Sequence, residues 1–377
     1  MDASDPGLLL IKDDGVRAYA NLVLFAPAAP GLGESNLLPS SAVTAFIDAG
    51  GNVLVAADSN TADFTRDVVA SCGFELDEAG TSVIDHKHSV EDDSTWIKAF
   101  RSAKVAAIVG PPLKAGVLFR GVALATDEFN ALALELLTAS STSYSYNPVQ
   151  PISTYPMVVG KSTVLVGGLE ARNNARVVVS GSIEMFGDNF FIMDDAENVR
   201  FAKSIALWLF GNAGRLRVRD AKHTLSSGQP QRVENEYTVG DVVKYSVVVE
   251  TNANEAQFEP FNATGLQLEV LRGSEVFVRK TLELSDDGRH FEGLVTLPNS
   301  ATGVFKLQLR YERPGYTQLR SITQIVLRPR RQEHYDRFHA LGLPFYISAA
   351  SMVAGVGLFS FFFAFGESKK RKTEKKE

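Results

Sequence analysis

The chain has 377 residues, 45% of them hydrophobic, and a formal net charge of −6. That length allows two or three domains with sizeable cores. The tail after Gly366 holds six bases and three acids, so the body ahead of it carries about −9; such an acidic body, without a basic stripe interleaved with aromatics, argues against nucleic acid as a partner. The single cysteine, Cys72, permits no internal disulfide, so an exported body must rest on its cores.

The opening MDASDPGLLLIKDD lacks a basic n-region and holds only four consecutive apolar residues, so it does not read as a signal peptide. Residues 21–29 (NLVLFAPAA) read as a buried strand ended by prolines. Ser40 or Ser41 is expected to cap a helix with Val43, Phe46 and Ile47 on one face, stopped at Gly50-Gly51. A second buried strand follows at 52–57 (NVLVAA). Thr61 is expected to open a second helix, with Phe64, Val68, Val69 and Cys72 along one side and Gly73 at its end. Strands are expected at 82–84 and 105–110, a helix from Asp127 to Leu137, strands at 162–169 and 176–182, and a helix from Phe201 to Phe210. Buried strands alternating with helices of about ten residues predict a largely parallel α/β sheet.

After about Arg215 the period changes. Segments 242–250, 265–273, 275–284, 290–298, 303–316 and 323–329 alternate apolar and polar residues between turn signals, which predicts an antiparallel β-sandwich. The stretch from Phe345 to Phe365 carries no charge and has the length of a transmembrane helix. The basic tail behind it, Lys369 to Lys376, places that end in the cytosol and the body on the far side. A body exported in that orientation needs a leader, so the natural N-terminus is expected upstream of Met1.

No constellation stands out as catalytic. Cys72 faces inward with nothing electropositive near it, and reads as a core thiol. The run Asp85-His86-Lys87-His88 reads as a solvated loop, with no second cluster to complete a metal site. Around Gly181-Ser182 there is no G-x-S-x-G elbow. Neither a phosphate loop nor a dinucleotide fingerprint occurs, so no cofactor is expected. The polar, aromatic stretch SSTSYSYNP (140–148) reads as a surface loop whose Tyr144 and Tyr146 are candidates for glycan contact. Asn262-Ala263-Thr264 is an N-glycosylation triplet. In the apolar segment Ala350, Ala354, Gly355 and Gly357 form a small-residue patch suited to helix packing in lipid.

Several strings together carry a resemblance: NLVLFAP (21–27), AFIDAGGNVLVAA (45–57), CGFELDE (72–78), SSTSYSY (140–146), ARNNARVVVSGS (171–182), YTVGDVVKYSVVV (237–249) and PFYISAASM (344–352). In order and over nearly the whole chain they resemble the DDOST/Wbp-type non-catalytic subunit family of the eukaryotic oligosaccharyltransferase. The resemblance implies a glutamine-amidotransferase-like α/β lumenal domain over 1–215, here without its first β–α unit, and a β-sandwich lumenal domain over 216–330. A juxtamembrane linker (331–343), a transmembrane helix (344–366) and a basic cytosolic tail (367–377) follow. It also implies a single-pass type I protein of the endoplasmic-reticulum membrane. Its partners would be the catalytic multi-spanning subunit, ribophorin-type and Dad-type subunits, and the lipid bilayer. The complex moves oligosaccharide from dolichol diphosphate to Asn of N-x-S/T in nascent chains; this subunit's expected part is structural, with the active site and metal elsewhere. The alternative is an accessory glycan-binding module that holds donor or acceptor within the complex. In the tail Lys375 stands third from the end, but Thr373 and Glu374 occupy the places of the partner lysine in a di-lysine retrieval signal.

Overall fold

The structure is a computed structural model that describes residues 8–33, 38–90, 93–102, 105–127, 129–193, 197–228, 235–254, 257–262, 264–332, 335 and 342–370. The chain divides into two compact units, Met1–Arg328 and Pro329–Glu377.

The first unit begins with β1 (Asn21–Leu24), α1 (Ser40–Asp48), β2 (Asn52–Ala56), α2 (Asp63–Ser71), β3 (Phe74–Leu76), β4 (Ser82–Ile84), β5 (Ser89–Val90) and β6 (Asp93–Arg101). It continues with α3 (Ala106–Val109), β7 (Val117–Phe119), β8 (Leu124–Thr126), β9 (Ala133–Thr138), β10 (Tyr144–Tyr146), β11 (Val164–Glu170), β12 (Arg176–Ser180), α4 (Asp188–Phe191) and α5 (Asn198–Leu209). The main sheet runs β1-β2-β12-β11-β9-β6-β5. Only β1, β2 and β12 are mutually parallel; β11, β9 and β6 join antiparallel, which corrects the largely parallel expectation. Helices α1 and α2 bury Val43, Phe46, Val68 and Val69 on one face of the sheet, with Val53 and Val55. Helix α5 buries Phe201, Ile205 and Trp208 on the other face, with Leu54 and Val178.

Local chemistry explains most elements. Helix α1 ends where Gly50 turns to φ +91, and a Cβ on Gly51 would fall 2.2 Å from the Phe46 ring, so the glycine pair both stops the helix and lets it close on the sheet. Neither the serine cap expected for α1 nor the Thr61 start expected for α2 is seen: Pro39 holds the cap position of α1 and Ala62 that of α2. Thr61 instead ties the preceding turn, taking the Asp58 amide at 2.8 Å.

Two expectations fail in opposite directions. Of the helix expected over 127–137, residues 133–137 belong to β9, because their good helix formers sit between β11 and β6, where ladder pairing overrides propensity. The strand expected over 105–110 is a single helical turn, α3, whose buried Val105, Ile108 and Val109 already show helical spacing. The surface loop expected over 140–148 contains β10, paired with β4.

The remainder of this unit is β13 (Leu216–Leu225), β14 (Glu236–Thr238), β15 (Val242–Asn254), β16 (Gln257–Pro260), β17 (Gln267–Arg272), β18 (Glu275–Thr281), β19 (Glu283–Leu284), β20 (Phe291–Thr296), β21 (Gly303–Tyr311) and β22 (Leu319–Arg328). They make two five-stranded sheets, β13-β15-β20-β19 with β16 beside β15, and β14-β22-β21-β17-β18. Inward residues of both, among them Tyr245, Val247, Phe291, Leu268, Phe305 and Ile325, share one core, so the expected sandwich forms. It is antiparallel except where β14 lies parallel to β22.

A buried polar lock joins sandwich to α/β sheet. The Arg176 guanidinium, on β12, donates to the carbonyls of Trp208 (2.6 Å), Ala213 (2.8 Å) and Gly214 (3.2 Å). It also stacks 5.0 Å from the Trp208 ring and lies 3.7 Å from the Glu170 carboxylate. Glu170 accepts the Gly315 amide at 3.1 Å, and the Trp208 indole donates to the Gly315 carbonyl at 3.2 Å. Gly315 belongs to the loop between β21 and β22, so the sandwich inserts a turn into the α/β layer.

The second unit contributes α6 (Leu343–Lys370). Its segment Leu343–Phe365 is 23 residues long with a mean hydropathy of 1.9, which at about 1.5 Å per residue is long enough to cross a bilayer. Ser348 and Ser351 turn their hydroxyls back onto the carbonyls of Phe345 and Ser348, at 2.8 Å each, satisfying within the helix what lipid would leave unpaired. Most of the expected linker and the tail from residue 371 onward lie outside the described residues.

Candidate functional site

An open α/β sheet binds ligands beyond the carboxyl ends of its parallel strands, where neighbouring strands send their helices to opposite faces. Here that place lies between β2, which leads to α2 on one face, and β12, which leads to α5 on the other. Next to it, on the β11 side, backbone closes over the end of β12. The Val122 amide donates to the Gly181 carbonyl at 2.9 Å, and the Gly181 amide to Leu165 at 3.0 Å. A Cβ at Gly121 would stand 2.2 Å from the Gly181 oxygen, and one at Gly181 would stand 2.0 Å from the Val122 oxygen. The two glycines let the segment before β8 close over the end of β12. The serines there are also spent: Ser180 Oγ donates to the Ser182 carbonyl (2.8 Å), and Ser182 Oγ accepts the Met185 amide (3.2 Å).

Cys72 caps the C-terminus of α2, buried among Val68, Val69 and Phe74. Burial pushes its thiol up to about 11, against a smaller lowering by the Ser71 hydroxyl. A thiol held protonated is the reverse of an activated nucleophile. Among the described residues no group of three or more His, Cys, Asp or Glu could hold a metal ion.

The polar constellation the chain does build lies beside the β4–β10 pair, and it unites two strings that read separately as loops. Asp85, only 1% exposed, accepts from the hydroxyls of Ser140 and Thr142 and from the amides of Lys87 and His88. Its Oδ2 also lies 3.2 Å from His88 Nδ1. Burial alone would raise this carboxyl; the four hydrogen bonds outweigh it and hold the group at about 2. His86 bonds the Tyr144 hydroxyl at 3.1 Å, and Ser145, behind them, donates to the buried Asp77. The Tyr146 hydroxyl takes the Ser153 amide at 2.8 Å and reaches the Pro151 carbonyl at 3.2 Å, clamping the following loop. The Ser153 hydroxyl, 3.2 Å away, and then the Ser153 amide draw its phenol down to about 8. Both candidate tyrosines are therefore half-exposed with their hydroxyls engaged. Asp85, expected with its run to lie in a solvated loop, is instead the buried centre of this cluster, and its signal was an acid directly before a His-x-His spacing with a run of small hydroxyls elsewhere in the chain.

The family descriptions "OST48, N-terminal domain" and "OST48 middle domain" match residues 1–212 and 223–367. The chain is 41% identical to a Danio rerio protein over 379 residues, spanning 96% of this chain and 83% of that one. It belongs to the OST48 family. The Danio rerio relative is named dolichyl-diphosphooligosaccharide--protein glycosyltransferase 48 kDa subunit. Relatives of the same name from Drosophila melanogaster and Caenorhabditis elegans are each 38% identical, over 96% and 95% of this chain and 83% of theirs. Among solved structures, the mmIFT52 N-terminal domain is 14% identical at a TM-score of 0.34, covering 45% of this chain and 70% of that one. A TM-score that low carries no argument about the fold.

In this OST48 chain the string ARNNAR (171–176) has a structural reason. Asn173 donates its amide hydrogens to the carbonyls of Ile47 and Asp48 (2.8 and 2.9 Å), capping the C-terminus of α1. Asn174 takes the left-handed turn (φ 66) and accepts the Gln318 amide from the sandwich at 2.8 Å, and Arg176 forms the buried lock. Three consecutive functions of one turn thus hold helix, sheet and sandwich together.

The membrane-packing candidates separate on α6. By helical spacing Ala350, Ala354 and Gly357 share one stripe, whereas Gly355 lies on a second stripe with Ser348 and Ser351. All of them are exposed along the helix.

Proposed function

We propose that this chain is a non-catalytic structural and assembly subunit of the oligosaccharyltransferase. Its folded body would lie in the lumen of the endoplasmic reticulum, α6 would cross the membrane once, and the basic tail would face the cytosol. Family membership across both OST48 domains carries the reading. The backbone plug at the strand ends, the protonated Cys72 thiol and the engaged serines support the non-catalytic part, and the three parallel strands between two helix layers fit a glutamine-amidotransferase-like ancestry. The Ala350–Ala354–Gly357 stripe offers close backbone approach to a partner helix, from the catalytic multi-spanning subunit or from ribophorin-type or Dad-type subunits.

Immunoprecipitation of a tagged copy from mild detergent is expected to recover the catalytic subunit, and depletion to leave secreted proteins underglycosylated. Recovery of no other subunit, or full glycosylation after depletion, would overturn the reading.

A second reading rests on the clustered His86, Thr142 and Tyr144 at one exposed edge: contact with the glycan of donor or acceptor. Replacing Tyr144 and Tyr146 with alanine in an intact complex would then raise the KM for one of them; unchanged constants for both remove this reading.

A further inference from the structure

We propose that Asn262 carries an N-linked oligosaccharide, and that the sandwich edge at β16 consequently faces open lumen in the assembled complex. The proposal rests on the lumenal placement proposed above.

Asn262-Ala263-Thr264 is the one N-x-S/T triplet in the 377 residues. A triplet alone is common by chance; its setting in the fold carries the argument. Asn262 and Thr264 are both exposed, yet the residues flanking them are anchored in the sandwich core. On one side Phe261 is buried edge-to-face against Tyr311 and Tyr316, with its amide bonded to Val249 at 2.9 Å. On the other, Leu266 is fully buried and its carbonyl accepts the Leu282 amide at 2.8 Å. Asn262 and Thr264 are thus exposed between two residues, Phe261 and Leu266, that are fixed in the core; Ala263 lies outside the described residues.

The carboxamide of Asn262 and the hydroxyl of Thr264 take no hydrogen-bond partner among the described residues. Other asparagines of this chain are committed: Asn173 caps α1, Asn198 bridges Leu118 and Met185, and Asn252 bonds Gly211 and Arg215. Glycosylating any of those would break backbone contacts; glycosylating Asn262 breaks none. The donor class is an oligosaccharide linked to a polyisoprenyl diphosphate. The Asn262 Nδ2 forms a bond to the anomeric carbon and gives up one proton, while the bond from that carbon to the diphosphate oxygen breaks and its electron pair leaves with the lipid diphosphate.

The position has a consequence for assembly. Among the described residues strand β16 pairs only with β15, which leaves its outer edge a row of backbone groups without a strand partner, and Glu259 and Pro260 on it are exposed. A bulky, hydrated sugar two residues beyond that edge blocks strand addition and excludes a close-packed neighbouring subunit. Partners would then approach by other faces.

The test takes a chromosomally tagged chain in sealed microsomes, with peptide-N-glycosidase treatment and added protease. One downward mobility step is expected for the natural chain and for Thr264→Ser, and none for Asn262→Gln or Thr264→Ala. The shifted form should also be the one recovered with the complex. No step from a protease-protected body overturns the glycan and leaves the lumenal reading standing. A body digested from outside overturns both. Sugar found only on chains outside the complex overturns the open-edge assignment.

Discussion

Asp85 and Arg176 show two ways in which this chain buries a charge. Around Asp85 four donors replace water, and the carboxyl at about 2 lies below its ordinary 3.8. A folded value below the unfolded one means the group stabilises the fold above pH 4 and that this contribution fades as pH falls from about 4 to about 2. Its size is on the order of 2 kcal/mol. Asp85→Asn is expected to speed amide exchange across residues 82–90 and 140–146 at neutral pH and to flatten the extra acid sensitivity of those segments. Equal exchange in the two proteins at neutral pH would refute the account. Arg176 is balanced differently, with burial pushing Glu170 up and Arg176 down to about 10, still protonated at neutral pH. Arg176→Ala leaves Glu170 buried without its cation and is expected to destabilise the body by about 3–5 kcal/mol. The paired replacement of Arg176 and Glu170 by methionine should cost less than that single change. Denaturant midpoints of the three proteins measure the difference.

At the scale of elements, β9 and α6 make a contrast. The sequence ALELLT has helical preference, but in β9 it is ordered by neighbours on both sides, β11 and β6. Nothing in the local string encodes those neighbours, since β11 begins about 25 residues later. Helix α6 needs no such context, because an uncharged stretch of that length has one way to satisfy its backbone in lipid. Its two stripes predict different outcomes for bulky substitutions. Ala354→Leu and Gly357→Leu are expected to reduce recovery of the partner subunits, with insertion in the membrane unchanged. Gly355→Leu, on the other stripe, should have the weaker effect; the same loss from Gly355→Leu would show that the first stripe is not the packing face.

At the scale of the molecule, the β21–β22 turn and the ARNNAR turn make sheet and sandwich one body. Gly315 occupies φ +91 with a Cβ position 3.0 Å from Ala107 and Ile108, so any larger residue meets both backbone strain and α3. Gly315→Asp should therefore open a protease-sensitive site near residues 210–216 and release the sandwich as a fragment, whereas the natural chain resists cleavage there. Gly121→Ala and Gly181→Ala should have a larger effect still, lowering the amount of folded protein at steady state, because the clashing atoms are backbone oxygens that cannot rotate away.

The sequence by itself determined the two periodic regimes, the spanning helix and, through ordered strings, the family. Each of these is a property of neighbouring residues: a repeat of two, a repeat of three to four, an uninterrupted apolar run. Read alone it pointed the wrong way on two counts, to a largely parallel sheet and to a helix where β9 lies, and it left open that Asp85 meets Ser140 and Thr142. It was also silent on the backbone plug over β12 and on Arg176 binding three carbonyls between layers. Those depend on contacts between residues tens of positions apart, whose free energy exists only once the chain has closed on itself.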